Sequence, residues 1–593
     1  MCHGCRKIVA AQPQPSKAGF PGQQSSSLVT HSSLAYSPSK SETNPPTFVS
    51  LAFPRSTEPA ILFNVSQNLN LTYAGFVSAH LSLGELCVEF FLRVSLNEMT
   101  TFYIEQFGCR ATQADGAAIE RQLRERGLGS AREAAAADIV VVNTCTVTAS
   151  ADAQARDAIR KLYAANPAVR VIVTGCYAQR APEELNALPG VAWVVGNSHK
   201  PEIPALVDSL STAAPPGSAK DFFPAAALHS ESIVPFHSFV GARPAAPQLG
   251  KIVVGNIFER TEFLAAPVLG GEGNHTRPTL KIQDGCNSRC SFCVIPFVRG
   301  KSRSLPPETV IQEIQRLSEA GYREIVLSGI NLGTYGRDLF PRVEFEDLLR
   351  RILDETTVER LRISSIEPLD VTRDLVHLFA GTERMAQHFH VPLQSGVDRI
   401  LAAMHRWYRA EHYARRVELI HEHLPHAAIG ADVIAGFPGE TEGDHAATLA
   451  FIESLPFTYL HVFSYSKRPG TAAASLPSQV PGATTKRRAR ELRALGEKKS
   501  AAFRRSQIGR TLRVLTLHRD EQNDVGSTPA LSSNYLRVRV PGFLPSDLWQ
   551  EVVLTIEEGN YLIGRPAAIL KHARSCEPAS ALSEPSAYFA PRR

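Results

Sequence analysis

A repeated strand–helix alternation between Thr279 and about Ser466 restricts this chain more than any other feature. Six short segments rich in β-branched and aromatic residues recur there: LKIQ (280–283), EIVLSG (324–329), RLRISSI (360–366), QHFHVPL (387–393), AIGADVIAG (428–436) and YLHVFSY (459–465). Helical stretches separate most of them. Strands joined through helices run parallel, with helices covering the sheet. Six units are fewer than the eight that close a TIM barrel. The expected architecture is therefore an open, partial (β/α)6 barrel spanning 276–482.

The same punctuation appears on a smaller scale upstream. TFYIEQF (101–107), DIVVVNT (138–144) and VRVIVTG (169–175) alternate with helical segments near 112–126 and 150–164, which predicts a small parallel α/β domain over 99–204. Residues 205–275, rich in Pro, Ala and Gly, read as a linker with some local structure. Downstream, KRRARELR and EKKSAAFRRSQIGR make a basic helix over 483–510. TLRVLTL, NYLRVRV, EVVLTI and NYLIG then predict a small antiparallel β-barrel over 511–572, an architecture that commonly grips RNA. Several domains suit a chain of 593 residues. The flanks 1–98 and 573–593 lack sustained periodicity and are expected to be disordered, with Met99 a candidate start.

The most apolar stretch, from Ala74 to Leu96, is broken by Glu85 and Glu89, and the amino terminus lacks a secretory pattern. No membrane association and a cytoplasmic location are expected. In that compartment clustered thiols point to metal rather than disulfides. Cys286, Cys290 and Cys293 form a CxxxCxxC just after the first strand of the longer alternation. Three thiolates on one loop can hold three irons of a 4Fe–4S cluster and leave the fourth without a protein ligand. Zinc would require a fourth ligand, and the nearest upstream histidine, His275, precedes the strand.

Cys109, Cys145 and Cys176 each follow the carboxyl end of one of the three upstream strands. In a parallel sheet those ends share the edge where ligands bind. The three are expected to converge into a second three-thiolate site, burial in the core being the alternative for any one of them. Cys2 and Cys5 form a CxxC with no companion pair, and no metal role is expected for them.

The loop DGCNSRCSFCVIPFVRGKSRS resembles the radical S-adenosylmethionine (SAM) loop of the methylthiotransferase family. FGCRATQADG, VVNTCTVTASAD and VTGCYAQR are similar to that family's amino-terminal cluster domain. VPLQSGVDRILAAMHRWY, DVIAGFPGET and FSYSKRPGTAA are similar to its catalytic domain, and the last barrel resembles its TRAM domain. The resemblance spans about Met99 to Leu570; residues 1–98 and the linker depart from the pattern. It implies two 4Fe–4S clusters, SAM, a tRNA anticodon loop as substrate, and an electron donor such as flavodoxin or ferredoxin, with the sulfur donor left open. KIQDGC, and NTCTVT followed by Ala-Asp, resemble most the branch acting on N6-threonylcarbamoyladenosine. The isopentenyladenosine and ribosomal-protein aspartate branches are the enzyme alternatives. A non-catalytic iron–sulfur RNA-binding protein is the alternative of another class, against which stands the absence of a fourth cysteine in either triad.

Further site candidates follow from position. Gly329 would let a ligand approach the backbone, and Glu367 and Gln394, at strand ends, are either hydrogen-bonding partners of SAM or ordinary strand-end polar residues. Arg299 and Arg303 either meet substrate charge or form salt bridges. Arg504 and Arg505 are candidate RNA contacts on the basic helix, and His390 is either a core histidine or a pocket wall.

Overall fold

The apolar runs of the upstream region form a six-stranded, all-parallel sheet in the computed structural model, which describes residues 100–211 and 251–567 apart from 262, 265, 269–275, 521–523 and 525. Its strands are β1 (Thr101–Gln106), β2 (Gly129–Ser130), β3 (Ile139–Thr144), β4 (Arg170–Gly175), β5 (Val191–Gly196) and β6 (Lys251–Val253), in the order β2-β1-β3-β4-β5-β6. Val140, Val142, Val171 and Val173 pack on one face, whereas Ile139, Val141, Ile172 and Val195 pack on the other. Burial on both faces explains why β3 is a continuous apolar run rather than an alternating one. Helix Ala149–Ala165 covers the first face, and helices Arg110–Glu125 and Ile203–Ser211 cover the second.

This sheet corrects two expectations. Three strands become six: β2 and β6 are edge strands of two and three residues, too short to display a period, and the six-residue β5 lay beyond the three strands read from the sequence. The boundary at 204 also shifts, because the local structure in 205–275 belongs to this sheet. Helix Ile203–Ser211, which the boundary at 204 would cut, covers the sheet, and β6 completes its edge. The segments 1–98 and 573–593, with Cys2 and Cys5, lie outside the described residues.

All six strands of the longer alternation are present: β7 (Thr279–Lys281), β10 (Glu324–Ser328), β11 (Arg360–Ile363), β12 (His388–His390), β13 (Ala428–Ala435) and β14 (Tyr459–Ser464). They pair in parallel as β7-β10-β11 and β12-β13-β14, and a Leu361–Met385 bridge joins the two halves. A two-stranded antiparallel ladder, β8 (Gln283–Asp284) with β9 (Arg303–Ser304), brackets the cysteine loop. Outward-facing Ile325, Leu327, Leu361, Ile363, Phe389, Ile429, Ala431 and Val433 share one core with Val310, Leu348, Leu375 and Val417 from the surrounding helices. Each fully buried aliphatic side chain contributes roughly 1.5–3 kcal/mol. The alternate positions turn inward and are polar: Glu324, Arg360, Arg362, His388, His390, Asp432 and Tyr459. An interior of this kind is built to hold something other than packed side chains.

The basic helix, Gly482–Ser506, is not a separate element. It packs on β13, β14 and helix Glu442–Ser454, and its Ala489 and Leu492 enter the barrel core. The last domain is a closed barrel of β15 (Thr511–Thr516), β16 (Ser527–Ser532), β17 (Arg537–Pro541), β18 (Trp549–Glu558) and β19 (Tyr561–Pro566). One pair, β17 with β19, runs parallel, so the barrel is not wholly antiparallel as expected. β16, with sequence STPALS, escapes the strand pattern because its Ser, Thr and Pro mask its buried positions. Among the described residues no helix is long and apolar enough to cross a membrane.

The small barrel docks on the amino-terminal end of the large one. Arg362 donates to the Ser532 and Ser533 carbonyls, and Arg360 donates to that of Arg513. The Trp549 ring lies between the Arg360 and Arg513 guanidiniums, 4.2 and 4.3 Å from them. Glu324 anchors this cation group by pairing with Arg362, Arg360 and Arg277. Burial raises its pKa, but the three guanidiniums overcome that and hold it well below the carboxylate range. A depressed folded pKa stabilises above the unfolded value and is lost as pH falls toward the folded one. Glu324→Ala should therefore cost about 3–5 kcal/mol at neutral pH, since it strands buried cations. Denaturant unfolding measures this, and a loss below about 1 kcal/mol would contradict the assignment.

Candidate functional site

The ends of β1, β3 and β4 bring Cys109, Cys145 and Cys176 together, as the strand-edge reading expects. Gly108 is the enabling residue, with φ +106° and an added Cβ only 2.5 Å from the Cys145 Cβ. No other residue allows the Cys109 turn to pass so close to Cys145. Cys109 is exposed while Cys145 and Cys176 are buried. Burial, with Cys176 beside it, pushes the Cys145 thiol up to about 12. Burial also raises Cys176, against which Arg299 and Lys200 pull. Asn197 Nδ2 lies 3.6 Å from Cys176 Sγ.

The second triad sits at the carboxyl end of β7. Gly285 (φ +73°) makes the turn into it, and a Cβ there would fall 2.0 Å from the Lys301 carbonyl. The Cys286 amide donates to the Gly300 carbonyl at 3.1 Å, and the Ser288 amide approaches Cys286 Sγ at 3.4 Å. Arg406 Nη1 lies 3.4 Å from Cys290 Sγ, and Glu367 fixes that guanidinium through an ion pair. Burial raises Cys290, opposed by Arg406, and pushes Cys293 up to about 12.

Two buried ionic groups join the domains around these cysteines. In the first, Asp115 of helix Arg110–Glu125 binds Lys200, Lys281 and Arg299, while Arg299 and Lys281 also bind Asp284, two residues before Cys286. Burial raises both carboxyls, but the cations dominate; Asp284 falls to about 2 and Asp115 lies lower. In the second, Arg468 reaches from the SKRPGT segment to Asp152 and Thr146, beside Cys145, with Arg180 on the same carboxylate. Cys176 also packs against Val294 and Val298, just beyond the loop triad.

Between the triads opens a cleft of about 210 Å³. Val147 and Thr148, following Cys145, form one wall. Phe292, Cys293, Val294 and Ile295 form another. Gln394, Asp432, Ile434, Phe463, Ser464 and Ser466 line the barrel side.

The other sequence candidates separate clearly. Gln394, held at φ 68°, lines the cleft. Glu367 acts through Arg406 on Cys290. The space that Gly329 leaves is filled by Leu332 and Gln283, 2.8 and 3.0 Å from an added Cβ, so the glycine serves packing. Arg299 is 1% exposed and committed to Asp284 and Asp115, which excludes it from substrate contact. Arg303 is buried too, donating to the Arg299 carbonyl. Arg504 is buried against Glu497 and Glu557, and exposed Arg505 shares Glu557, so neither is a free RNA contact. His390 binds Asp432 at 3.0 Å on the barrel interior. Sequence reasoning missed Asp115, Lys200, Lys281, Asp284, Arg406 and Arg468. A lysine inside a β-strand, as Lys281 is, was the available signal for a buried partner.

The donor sets fit two iron–sulfur clusters. Each triad offers three converging thiols, and the six cysteines are the only ones among the described residues. Lys200 and Arg299 beside one triad, and Arg406 beside the other, favour thiolates there.

Two family descriptions match the chain: "Uncharacterized protein family UPF0004" over residues 101–196 and "Radical SAM superfamily" over residues 280–452. The chain is 35% identical to the threonylcarbamoyladenosine tRNA methylthiotransferase MtaB of Aquifex aeolicus, an alignment covering 74% of this chain and 96% of that protein. It is 34% identical to the protein of that name from Bacillus subtilis, over 75% of this chain and 91% of that one. It is also 34% identical to the tRNA-2-methylthio-N(6)-dimethylallyladenosine synthase of Thermobifida fusca, over 72% of this chain and 80% of that protein. Anaerobic reconstitution should load about eight irons, as expected for two 4Fe–4S clusters, and the triple change of Cys286, Cys290 and Cys293 to Ala should leave about half. Iron analysis of both proteins checks this, and full retention in the variant would refute the loop site.

Proposed function

The chain belongs to the radical-SAM tRNA methylthiotransferases, and from that premise we propose that its substrate is N6-threonylcarbamoyladenosine beside the tRNA anticodon, converted to the 2-methylthio derivative. One observation carries the reading: a single cleft is walled by residues flanking both cysteine triads. A base entering it would reach both clusters' surroundings at once, as insertion of sulfur at an unactivated carbon requires. Bound SAM and the clusters supply the radical chemistry and the sulfur atom.

The chain's own residues bind, orient and exclude water. Cys286, Cys290 and Cys293 would hold the cluster that binds SAM, and Cys109, Cys145 and Cys176 the one that handles sulfur. Phe292, Val294 and Ile295 give the cleft an apolar wall against water, and Gln394, Asp432, Ser464 and Ser466 give it polar groups that fix orientation. The base must leave its stack to enter, which is easiest in a single-stranded loop. Lys486, Arg490 and Arg493 are exposed at helical spacing along Gly482–Ser506, a helix packed on β14, whose Phe463 and Ser464 line the cleft. That stripe, rather than Arg504 and Arg505, is suited to the RNA backbone. The near-equal identities to proteins named for two different substrates do not choose between them. The polar barrel side of the cleft favours the polar substituent.

Mass spectrometry of tRNA nucleosides from a deletion strain, with and without this gene, tests the substrate. Appearance of methylthiolated threonylcarbamoyladenosine supports the proposal; methylthiolated isopentenyladenosine alone, or only a modified ribosomal protein, overturns it. The roles of the triads separate in one reaction. Cys290→Ala should abolish both 5′-deoxyadenosine and methylthio product. Cys145→Ala should still release 5′-deoxyadenosine but form no methylthio nucleoside. A normal product yield from the Cys145 variant would remove the upstream triad from the sulfur role.

A further inference from the structure

Three adjacent parallel strands, β12, β13 and β14, carry His390, Asp432 and His461 to one inward patch of the large barrel. Asp432 and His461 are direct register partners, and His390 is paired with Gly430, two residues before Asp432. Side chains two positions apart along a strand share a face, which is why the three meet. Asp432 lines the cleft and the His461 side chain is 57% exposed, so the patch is open to small solutes.

The donor atoms of these side chains lie within 4.8 Å of one another. His390 Nε2 stands 3.0 Å from Asp432 Oδ1, and His461 Nδ1 stands 3.4 Å from the same oxygen. Ligand atoms bound to one ion at about 2.0–2.2 Å are separated by about 3.0–3.5 Å in octahedral or tetrahedral sites, so seating an ion needs little movement. His390 is also held from behind. Its Nδ1 lies 3.1 Å from Tyr459 Oη, which in turn lies 2.8 Å from His388 Nε2. An imidazole oriented through its second nitrogen is the usual support of a metal ligand. Charge points the same way. The buried carboxylates Asp115, Asp284, Asp152, Glu324 and Glu440 each pair with an arginine or lysine. Among the described residues the Asp432 carboxylate meets only the two imidazoles, which unlike guanidinium or ammonium are not permanent cations.

We propose that His390, Asp432 and His461 form a third metal site, separate from the cysteine triads, for one divalent ion of the zinc or iron(II) class. Two imidazoles and one carboxylate are a ligand set those ions take, whereas three thiols suit an iron–sulfur cluster. Three protein ligands leave at least one coordination position open. Because Asp432 lines the cleft, that position is available to an oxygen or nitrogen atom of whatever the cleft admits. The described residues lining the cleft include no lysine or arginine, so a cation on Asp432 would be its anchor for an anionic or carbonyl group.

The test uses the full chain with both clusters loaded, which leaves none of the six thiols free to compete, and zinc as the probe. Equilibrium dialysis against buffered Zn²⁺ should leave about one zinc per chain while the iron stays at about eight. X-ray absorption at the zinc edge should show nitrogen and oxygen neighbours at about 2.0–2.2 Å with imidazole scattering, and no sulfur at about 2.3 Å. His461→Ala and Asp432→Asn should each weaken zinc binding by more than about 10-fold, since even an outer contact is worth that much. The His461 side chain is largely exposed, so its removal leaves the barrel core intact, and unchanged iron content confirms this in the same sample. Failure of the wild-type chain to retain zinc overturns the site and leaves the three residues as a hydrogen-bonded wall. Sulfur around the zinc, or zinc binding that is indifferent to both substitutions, overturns it as well by placing the ion elsewhere.

Discussion

The ionic group of Asp115, Lys200, Lys281, Arg299 and Asp284 is the constraint on which the rest of the structure depends. It is buried, and it is shared between domains: Asp115 and Lys200 come from the six-stranded sheet, Lys281, Asp284 and Arg299 from the barrel. Two carboxylates face three cations there, so the group carries excess positive charge. That excess lies beside Cys176 and Cys145, where Arg299 opposes the rise in thiol pKa that burial imposes. Buried ion pairs add little net stability over an apolar contact, but removing one partner is costly. Such a group therefore tolerates one docking geometry and penalises the neighbours of that geometry. Asp284 stands two residues before Cys286, and Asp115 lies on the helix that follows Cys109. The separation of the two triads is thus set by ions rather than by a flexible interface.

The barrel interior follows a different logic. A closed parallel barrel fills its centre with aliphatic layers. Here the inward positions hold Glu324, Arg362, His388, His390, Asp432 and Tyr459, and the chain must satisfy each by pairing. The small carboxyl-terminal barrel does part of this work. Its Ser532 and Ser533 carbonyls accept from Arg362, and the Tyr535 ring lies 4.4 Å from that of His388 in a tilted contact. One end of the large barrel is thereby closed by protein, and the cysteines and cleft lie at the other.

Legibility in the sequence divides along the same physical line. Elements fixed by local periodicity were readable: all six barrel strands, β1, β3 and β4, the basic helix, and four of the five strands of the small barrel. The cysteine triads were readable too, because strand-end position alone makes them converge. What was not readable depends on partners distant in sequence. Arg299 looks like a free cation beside a metal loop until Asp115, 184 residues earlier, is placed against it. Arg504 looks like an RNA contact until Glu557 arrives from β18. Edge strands of two or three residues, such as Lys251–Val253, carry too few side chains to announce themselves.

The cleft also shows how little chain the site needs. Two of its walls are contributed by residues within three positions of a cluster ligand: Val147 and Thr148 after Cys145, and Phe292, Val294 and Ile295 around Cys293. Backbone that is fixed by metal ligation is rigid backbone, and a wall one or two residues away inherits that rigidity.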